Sequence, residues 1–308
     1  MVAKKRKNPY IPGIAAMNFK PDLDWTKSQA KKLFKESDSK IPVDKIQYQD
    51  CIQGMKTLPE SCMDLVVADP PFGIEFSTKE NLYNRNSDFV PDGYKEVSPK
   101  DYSEFTTSWI QEIPRIMKNT ASAYIFSGWT HLKEVLDAIS HSKLKIINHI
   151  IWKYQFGVFT KRKFVTSHYH VLFCVKDSKK YFYNKIEHYP EDVWIISRKY
   201  RPGQVKNRTK LPETVVSKCI NYSTKPGYIV FDPFMGNGTT AVCAKANYRH
   251  YFGFELNQNL KEIINQNLTN TELGKDYVPY NDLLPTKEEL AKKYPAVRKE
   301  LSKKSQTK

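Results

Sequence analysis

Between residues 63 and 254, short runs of β-branched and aromatic residues alternate with segments of helical period, and this alternation narrows the fold more than any other feature of the chain. Met63-Asp-Leu-Val-Val-Ala68 has the pattern of a buried strand ending at a turn. Ser122 to Phe126, Ile147 to Trp152, His170 to Val175, Tyr228 to Phe231 and Tyr251 to Phe254 repeat that pattern. Between them, segment 102–118 spaces Phe105, Trp109, Ile113 and Met117 four apart, one face of a helix. Leu132, Val135, Leu136 and Ile139 form a second stripe, and Leu211, Val215, Val216, Cys219 and Ile220 a third. Strands separated by helices imply an α/β fold, a mostly parallel sheet covered by helices on both faces. Ligands of such sheets bind at the carboxyl ends of the strands.

Two strand ends carry chemistry. Val230-Phe-Asp-Pro-Phe-Met-Gly-Asn-Gly-Thr-Thr240 runs from a strand through a Gly-x-Gly turn at Gly236 and Gly238 into an Ala-rich helix. Glycines there let backbone approach a ligand, and the helix start offers unpaired N–H groups. At the end of the next strand stands Glu255, placed to accept both hydrogens of a ribose diol. The same fingerprint serves dehydrogenases that bind nicotinamide dinucleotides, so alone it leaves the cofactor open. The other strand end is Ala68-Asp69-Pro70-Pro71-Phe72-Gly73. Two prolines stiffen the turn and hold the Asp69 and Pro70 carbonyls beside the Asp69 carboxylate. That cluster accepts hydrogen bonds and donates none, which suits a substrate presenting an amino group, and Phe72 offers a flat face for stacking.

Charge narrows the partner. Forty-nine Lys and Arg against 33 Asp and Glu give a formal net charge of +16, which suits an anionic partner such as nucleic acid. Residues 154–210 interleave Lys161-Arg162-Lys163, Arg198-Lys199 and Arg201 with many Tyr and Phe, as suits phosphate contacts with stacking. No apolar run approaches the ~20 residues of a membrane span, and no apolar signal core follows the basic cluster of the first seven residues. The five scattered cysteines contain no Cys-x-x-Cys pair; they read as small buried hydrophobes in a reducing cytoplasm. The seven histidines show no metal spacing, and His168 and His170 read as a polar strand edge. Residues 1–45 and 295–308 look like charged appendages, and charged tails are usually solvated and mobile.

Together the two strand ends resemble the S-adenosylmethionine-dependent DNA amino-methyltransferases, which methylate N6 of adenine or N4 of cytosine. Asp69-Pro-Pro-Phe72 is similar to the family's catalytic motif, and Asp232-Pro-Phe-Met-Gly-Asn-Gly-Thr-Thr240 to its cofactor motif. Their order in the chain resembles the family's circularly permuted beta group, with a Rossmann-like fold. The resemblance spans roughly residues 45–265 and assigns Asp50 to the cofactor's adenine and Lys210 of Lys-Leu-Pro212 to its methionine carboxylate, beside the ribose reading of Glu255. Asp232, Phe234, Gly236, Gly238, Thr239 and Thr240 complete the cofactor set, Asp69 lies beside it, and Asp69, Pro70 and Phe72 form the catalytic set. Phe72 stands where adenine enzymes more often carry Tyr, and Asn207-Arg208-Thr209 replaces the family's His-Pro pair.

The resemblance within 45–265, with charge and composition outside it, gives a domain plan. A basic extension occupies 1–44, a catalytic half 45–153, a target-recognition region 154–205, a cofactor half 206–270 and a C-terminal extension 271–308. It implies methyl transfer to N6 of a flipped adenine by direct displacement, without a metal, since Asp heads the turn where N4-cytosine enzymes usually carry Ser. N4-cytosine transfer is the alternative; an RNA or protein amino-methyltransferase, an NAD-dependent dehydrogenase and a non-catalytic DNA-binding module are remoter ones. Double-stranded DNA is the implied partner, with a homodimer and a cognate restriction endonuclease as further candidates. No cysteine follows a proline, so the thiolate step of C5-cytosine methylation has no nucleophile.

Overall fold

Every residue of the strand Met63–Ala68 is buried, and its side chains serve two cores. Val66 and Ala68 face one, Leu65 and Val67 the other, as the two-residue period of a strand requires; Met63 joins the first core because the pairing register shifts between Met63 and Leu65. A computed structural model describes residues 11–73, 97–155, 161–198 and 210–306. The elements in chain order are α1 (Pro12–Met17), α2 (Lys27–Lys35), β1 (Lys45–Gln47), α3 (Cys51–Thr57), β2 (Met63–Ala68), α4 (Tyr102–Ile116), β3 (Met117–Ser127) and α5 (Leu132–Ser140). They continue through β4 (Lys145–Lys153), β5 (His168–Val175), β6 (Val193–Ile195), α6 (Glu213–Ser223), β7 (Ile229–Asp232), α7 (Thr239–Ala246), β8 (His250–Phe254), α8 (Lys261–Thr269), α9 (Lys287–Lys293) and α10 (Pro295–Gln306).

The strands form one eight-stranded sheet in the order β1-β8-β7-β2-β3-β5-β4-β6. From β1 to β3 all neighbours are parallel, whereas β5 runs antiparallel to both β3 and β4. Residues of α3, α4 and α5 fill the core on one face, and residues of α6 and α7 fill the other. Strands β2 and β7 are adjacent at the centre, with Leu65 opposite Val230. The chain leaves β2 towards β3 but leaves β7 towards β8, so the connections diverge above this pair and open a crevice at its carboxyl ends.

Several sequence expectations change in the structure. The helix expected over 102–118 ends at Ile116, and Met117 starts a strand paired with Met63. Pro114, which has no N–H to donate, sits in the last turn, and Arg115 donates to the carbonyls of Met55 and Leu58. His170 lies on β5, an interior strand, not on an edge; its ring is buried and Nδ1 lies 2.8 Å from His149 Nε2. Burial and the neighbouring His149 and His168 push its pKa down to about 4.

By contacts the chain divides into two units, 27–183 with 192–277, and a smaller one of 1–26, 184–191 and 278–308. The C-terminal segment expected as a mobile tail forms helix α10 within the smaller unit, where Leu290 and Val297 are buried. A side chain at Gly13 would collide with Tyr294, so the ends of this unit pack closely. Residues 27–44, expected within the basic extension, sit on the larger unit: Phe34 stacks on His250 at 4.0 Å, and Asp44 accepts from His250 Nδ1 at 2.8 Å. The Met1–Lys7 cluster and most of the polar stretch 74–101 lie outside the described residues. Among the described residues, no helix is long and apolar enough to cross a membrane, and no His, Cys, Asp and Glu cluster could hold a metal.

Candidate active site

Strand β7 ends at Asp232, and its buried carboxylate organises the loop that follows. Oδ1 accepts the Phe234 N–H at 2.9 Å and Oδ2 the Thr240 hydroxyl at 2.5 Å, which ties the strand end to the first turn of α7. Gly236 and Gly238 both take left-handed backbone, at φ +53° and +79°. Only glycine adopts that conformation without a Cβ penalty. A Cβ built on Gly236 would meet nothing nearer than the Phe234 carbonyl at 3.8 Å, so the space over this glycine is open.

Glu255, just beyond β8, braces the loop from the side. Its Oε2 accepts the Gly236 N–H at 2.6 Å and Oε1 the Asn257 N–H at 2.7 Å. The Leu256 N–H also bears on this carboxylate, which has about four acceptor positions, so about one remains free on Glu255 for a ligand's hydroxyl. Gly253 is needed beside it, because a Cβ there would come within 2.5 Å of the Asp232 carbonyl. That glycine was hidden in sequence; its only signal is a glycine inside the otherwise aromatic strand His-Tyr-Phe-Gly-Phe.

The acceptor turn leaves β2 beside this loop. Pro70 and Gly73 are buried and Asp69, Pro71 and Phe72 are half-buried. Gly73 has φ +65°, and a Cβ on it would strike the Tyr102 ring. Helix α4 backs both halves of the site. Tyr102 holds the end of the acceptor turn, while Trp109 packs edge-on against Phe234 of the glycine loop at 5.3 Å. One amphipathic helix therefore fixes the spacing of two turns about 160 residues apart in sequence.

Three carboxylates converge here. Burial raises Asp232 to about 7, its hydrogen bonds to Thr240 and Phe234 oppose the rise, and the charges of Asp69 and Glu255 add to it. Glu255 is also raised by burial, against its backbone hydrogen bonds. Among the described residues, neither Asp232 nor Glu255 forms an ion pair with a Lys or Arg side chain. A cationic ligand would relieve this strained electrostatics.

The remaining sequence-derived candidates are spread more widely. Asp50 caps α3 by accepting the Gln53 N–H at 2.9 Å, at the carboxyl end of the β1 segment, and its charge reaches Cys51 along with that of Asp232. Thr239 and Thr240 are buried at the start of α7. Lys210 pairs with Glu213 at 3.3 Å, at the start of α6, and Cys243 of α7 donates to the Glu213 carbonyl.

Lys161, Arg162 and Lys163 are exposed between β4 and β5. Arg198 instead lies over the rings of Trp152, Tyr154 and Tyr169, at 5.0, 5.2 and 5.2 Å. Its backbone is held by the Gln155 side-chain amide at 2.6 and 2.7 Å. Tyr169 in turn meets Phe72 edge-on at 5.3 Å. This aromatic wall was missed in sequence because its members come from three segments, although Trp152 and Arg198 each lie in stretches already singled out. Lys199, Arg201 and Asn207-Arg208-Thr209 lie outside the described residues.

All five cysteines are buried and unpaired, and burial pushes their thiols up, that of Cys174 and Cys243 to about 12, so none is a ready nucleophile.

Comparison with known proteins places this arrangement. Residues 63–266, from β2 into α8, match the family model described as DNA methylase, of N6/N4 methyltransferases. The Type II methyltransferase M.HinfI of Haemophilus influenzae is 29% identical over 248 residues, covering 71% of this chain and 66% of that protein. The Type II methyltransferase M.BamHI of Bacillus amyloliquefaciens is 29% identical over 287 residues, covering 81% and 64%. The chain thus spans slightly less than two thirds of each relative's length. Among solved structures, the M1.HpyAVI–SAM complex superposes with a TM-score of 0.55 at 19% identity, over 73% of this chain and 98% of that one. By the span of the family match, and with both turns inside it, the chain belongs to the DNA methylase family of N6/N4 methyltransferases.

Proposed function

We propose that this protein is an S-adenosylmethionine-dependent DNA methyltransferase acting on the exocyclic N6 amine of a flipped adenine. The observation that carries the reading is the convergence, at the carboxyl ends of adjacent strands β2 and β7, of an acceptor-only turn and an open glycine loop braced by Glu255. The residues fit the cofactor: Gly236 leaves room for it, Glu255 keeps an acceptor position for a ribose hydroxyl, and the coupled carboxylates favour a cation. Asp50, Lys210, Phe234, Gly238, Thr239 and Thr240 would complete the cradle. When bound, S-adenosylmethionine supplies a methyl group on a positively charged sulfur.

The chain's own groups prepare the amine. An exocyclic amine is a weak nucleophile because its lone pair is delocalised into the ring. The Asp69 carboxylate and the Pro70 carbonyl accept its two N–H bonds, which favours a pyramidal nitrogen with a localised lone pair. As nitrogen gains positive charge during transfer, the Asp69 carboxylate stabilises that charge more than it stabilised the neutral amine. Phe72, steadied by Tyr169, supplies the face on which the base stacks. An amine buried in duplex DNA cannot reach this turn, so the base must leave the stack. The buried cysteines supply no rival nucleophile, and their unpaired thiols suit a reducing, cytoplasmic setting.

A nicotinamide enzyme would use the glycine loop and Glu255 but has no use for an acceptor turn. The relatives' designation as Type II methyltransferases supports duplex DNA as substrate and a partner endonuclease. The test is methylation of mixed-sequence DNA with labelled S-adenosylmethionine followed by nucleoside mass spectrometry, with Asp69→Ala alongside. N6-methyladenine that disappears in the variant is expected. N4-methylcytosine would keep the mechanism and overturn the target, and no modified base in DNA would redirect the search to RNA or protein.

A further inference from the structure

The connection from β4 to β5 rises from the same edge of the sheet as the acceptor turn. Ala68 lies beside Ile125, and Ile125 beside Leu172 of the antiparallel β5, so the N-terminal end of β5 and the C-terminal end of β4 lie level with the residues that follow Ala68. The root of this connection is closed. Tyr154 N–H donates to the Ser167 carbonyl at 3.0 Å, and the Tyr154 hydroxyl to the Thr166 carbonyl at 3.3 Å. Aromatic contacts join the root to the catalytic turn: Tyr154 meets Tyr169 at 5.6 Å, and Tyr169 meets Phe72 at 5.3 Å.

Beyond that root stand Lys161, Arg162, Lys163, Phe164 and Val165, all exposed. Phe164 is 98% exposed, more than any other large apolar side chain among the described residues. A phenyl ring left in water forgoes the stabilisation of burial, and here it directly follows three cations. Cations suit phosphates, and an exposed phenyl ring suits insertion between bases. A partner that is anionic outside and offers flat apolar surfaces within is duplex nucleic acid, and the root of this connection touches the turn that must receive a flipped base.

We propose that Phe164 is a wedge that enters the base stack of duplex DNA and holds the gap left by the extruded target base, while Lys161, Arg162 and Lys163 grip the flanking phosphates. The proposal rests on the reading of the chain as a DNA methyltransferase and adds to it the residue that substitutes for the lost stacking. Phe164 makes no contribution to the core, so its replacement leaves the fold intact.

The experiment compares wild type, Phe164→Ala and Phe164→Trp in single-turnover methylation of a duplex carrying the modified site, first mapped by sequencing methylated DNA. Each protein is assayed on the fully paired duplex and on one whose target base faces a mismatch. A mismatch lowers the cost of extrusion and makes a wedge dispensable. The expected result is a loss of about tenfold or more for Phe164→Ala on paired DNA, largely restored by the mismatch, with Phe164→Trp near wild type. Equal rates for Phe164→Ala and wild type on paired DNA would overturn the wedge, as would a loss that the mismatch leaves unchanged. If wild type methylates no duplex at all, the DNA reading itself fails and the wedge falls with it, whereas wild-type turnover isolates the fate of Phe164.

Discussion

The two ends of the central strand pair treat buried acids in opposite ways. At the amino end, Asp64 is 3% exposed and answered by Lys118 at 2.8 and 2.9 Å and by the Ile229 N–H at 3.0 Å. Burial still raises its pKa, but both charge and hydrogen bonding oppose the rise. At the carboxyl end, Asp232 is equally buried, and its nearest charged influences are two more acids, Asp69 and Glu255. An acid whose task is structural is neutralised by the protein's own cation. Asp232 and Glu255 are held by N–H and O–H groups, with no Lys or Arg ion pair among the described residues, which leaves positive charge to be supplied by a ligand.

Substitutions should separate these two ends cleanly. The largest effect is expected for Asp69→Ala, which should lower the methyl-transfer rate at least about a hundredfold (~3 kcal/mol) while duplex binding in a filter or anisotropy assay is little changed. Substantial residual turnover would remove Asp69 from the chemistry. Lys118→Met at the opposite end should cost about 2–4 kcal/mol in chemical denaturation, since it leaves Asp64 buried with a single N–H partner. Methylation per folded molecule should stay at the wild-type level; a selective loss of turnover would mean that the two ends are coupled.

Glu255→Gln should weaken cofactor binding about ten- to a hundredfold (~1.5–3 kcal/mol) in calorimetry, because an amide NH2 would face a backbone N–H and one acceptor is lost. Unchanged affinity would show that Glu255 only braces Gly236.

Asp232 sharpens the comparison through pH. Its folded pKa of about 7 lies above the ordinary carboxylate value near ~4, so its contribution to stability is full below about pH 4 and is lost as pH rises through about 7. Asp232→Asn removes the ionisation and should flatten the fall in stability that wild type shows across that window. Parallel stability profiles for the two proteins would show that Asp232 ionises as easily folded as unfolded.

Much of the fold was legible because its signals are local. Strand Met63–Ala68 is bounded as the residue pattern dictates, since six consecutive buried residues followed by Asp-Pro-Pro leave little alternative. The glycine loop is equally local, because the positive φ at Gly236 and Gly238 is a conformation that glycine adopts most readily. Other features depend on neighbours distant in sequence. His168 and His170 alternate like an edge strand, yet β5 is interior because it inserts antiparallel between β3 and β4, a pairing that no period of two can reveal. Arg198 reads in sequence as one more phosphate-binding cation, and no local pattern reveals that three rings from β4, its continuation and β5 lie against it.

The sequence by itself determined the two reactive turns, their residue chemistry and the alternating α/β plan, because each depends on torsional limits and side-chain period within a few residues. Only the tertiary structure decided that both turns stand at adjacent strand ends, that helix α4 seats Gly73 and Phe234 together, and that Asp232 titrates near neutrality. Those properties arise from burial and charge shared between segments more than a hundred residues apart, and a desolvated carboxylate responds to whatever the folded chain brings near it.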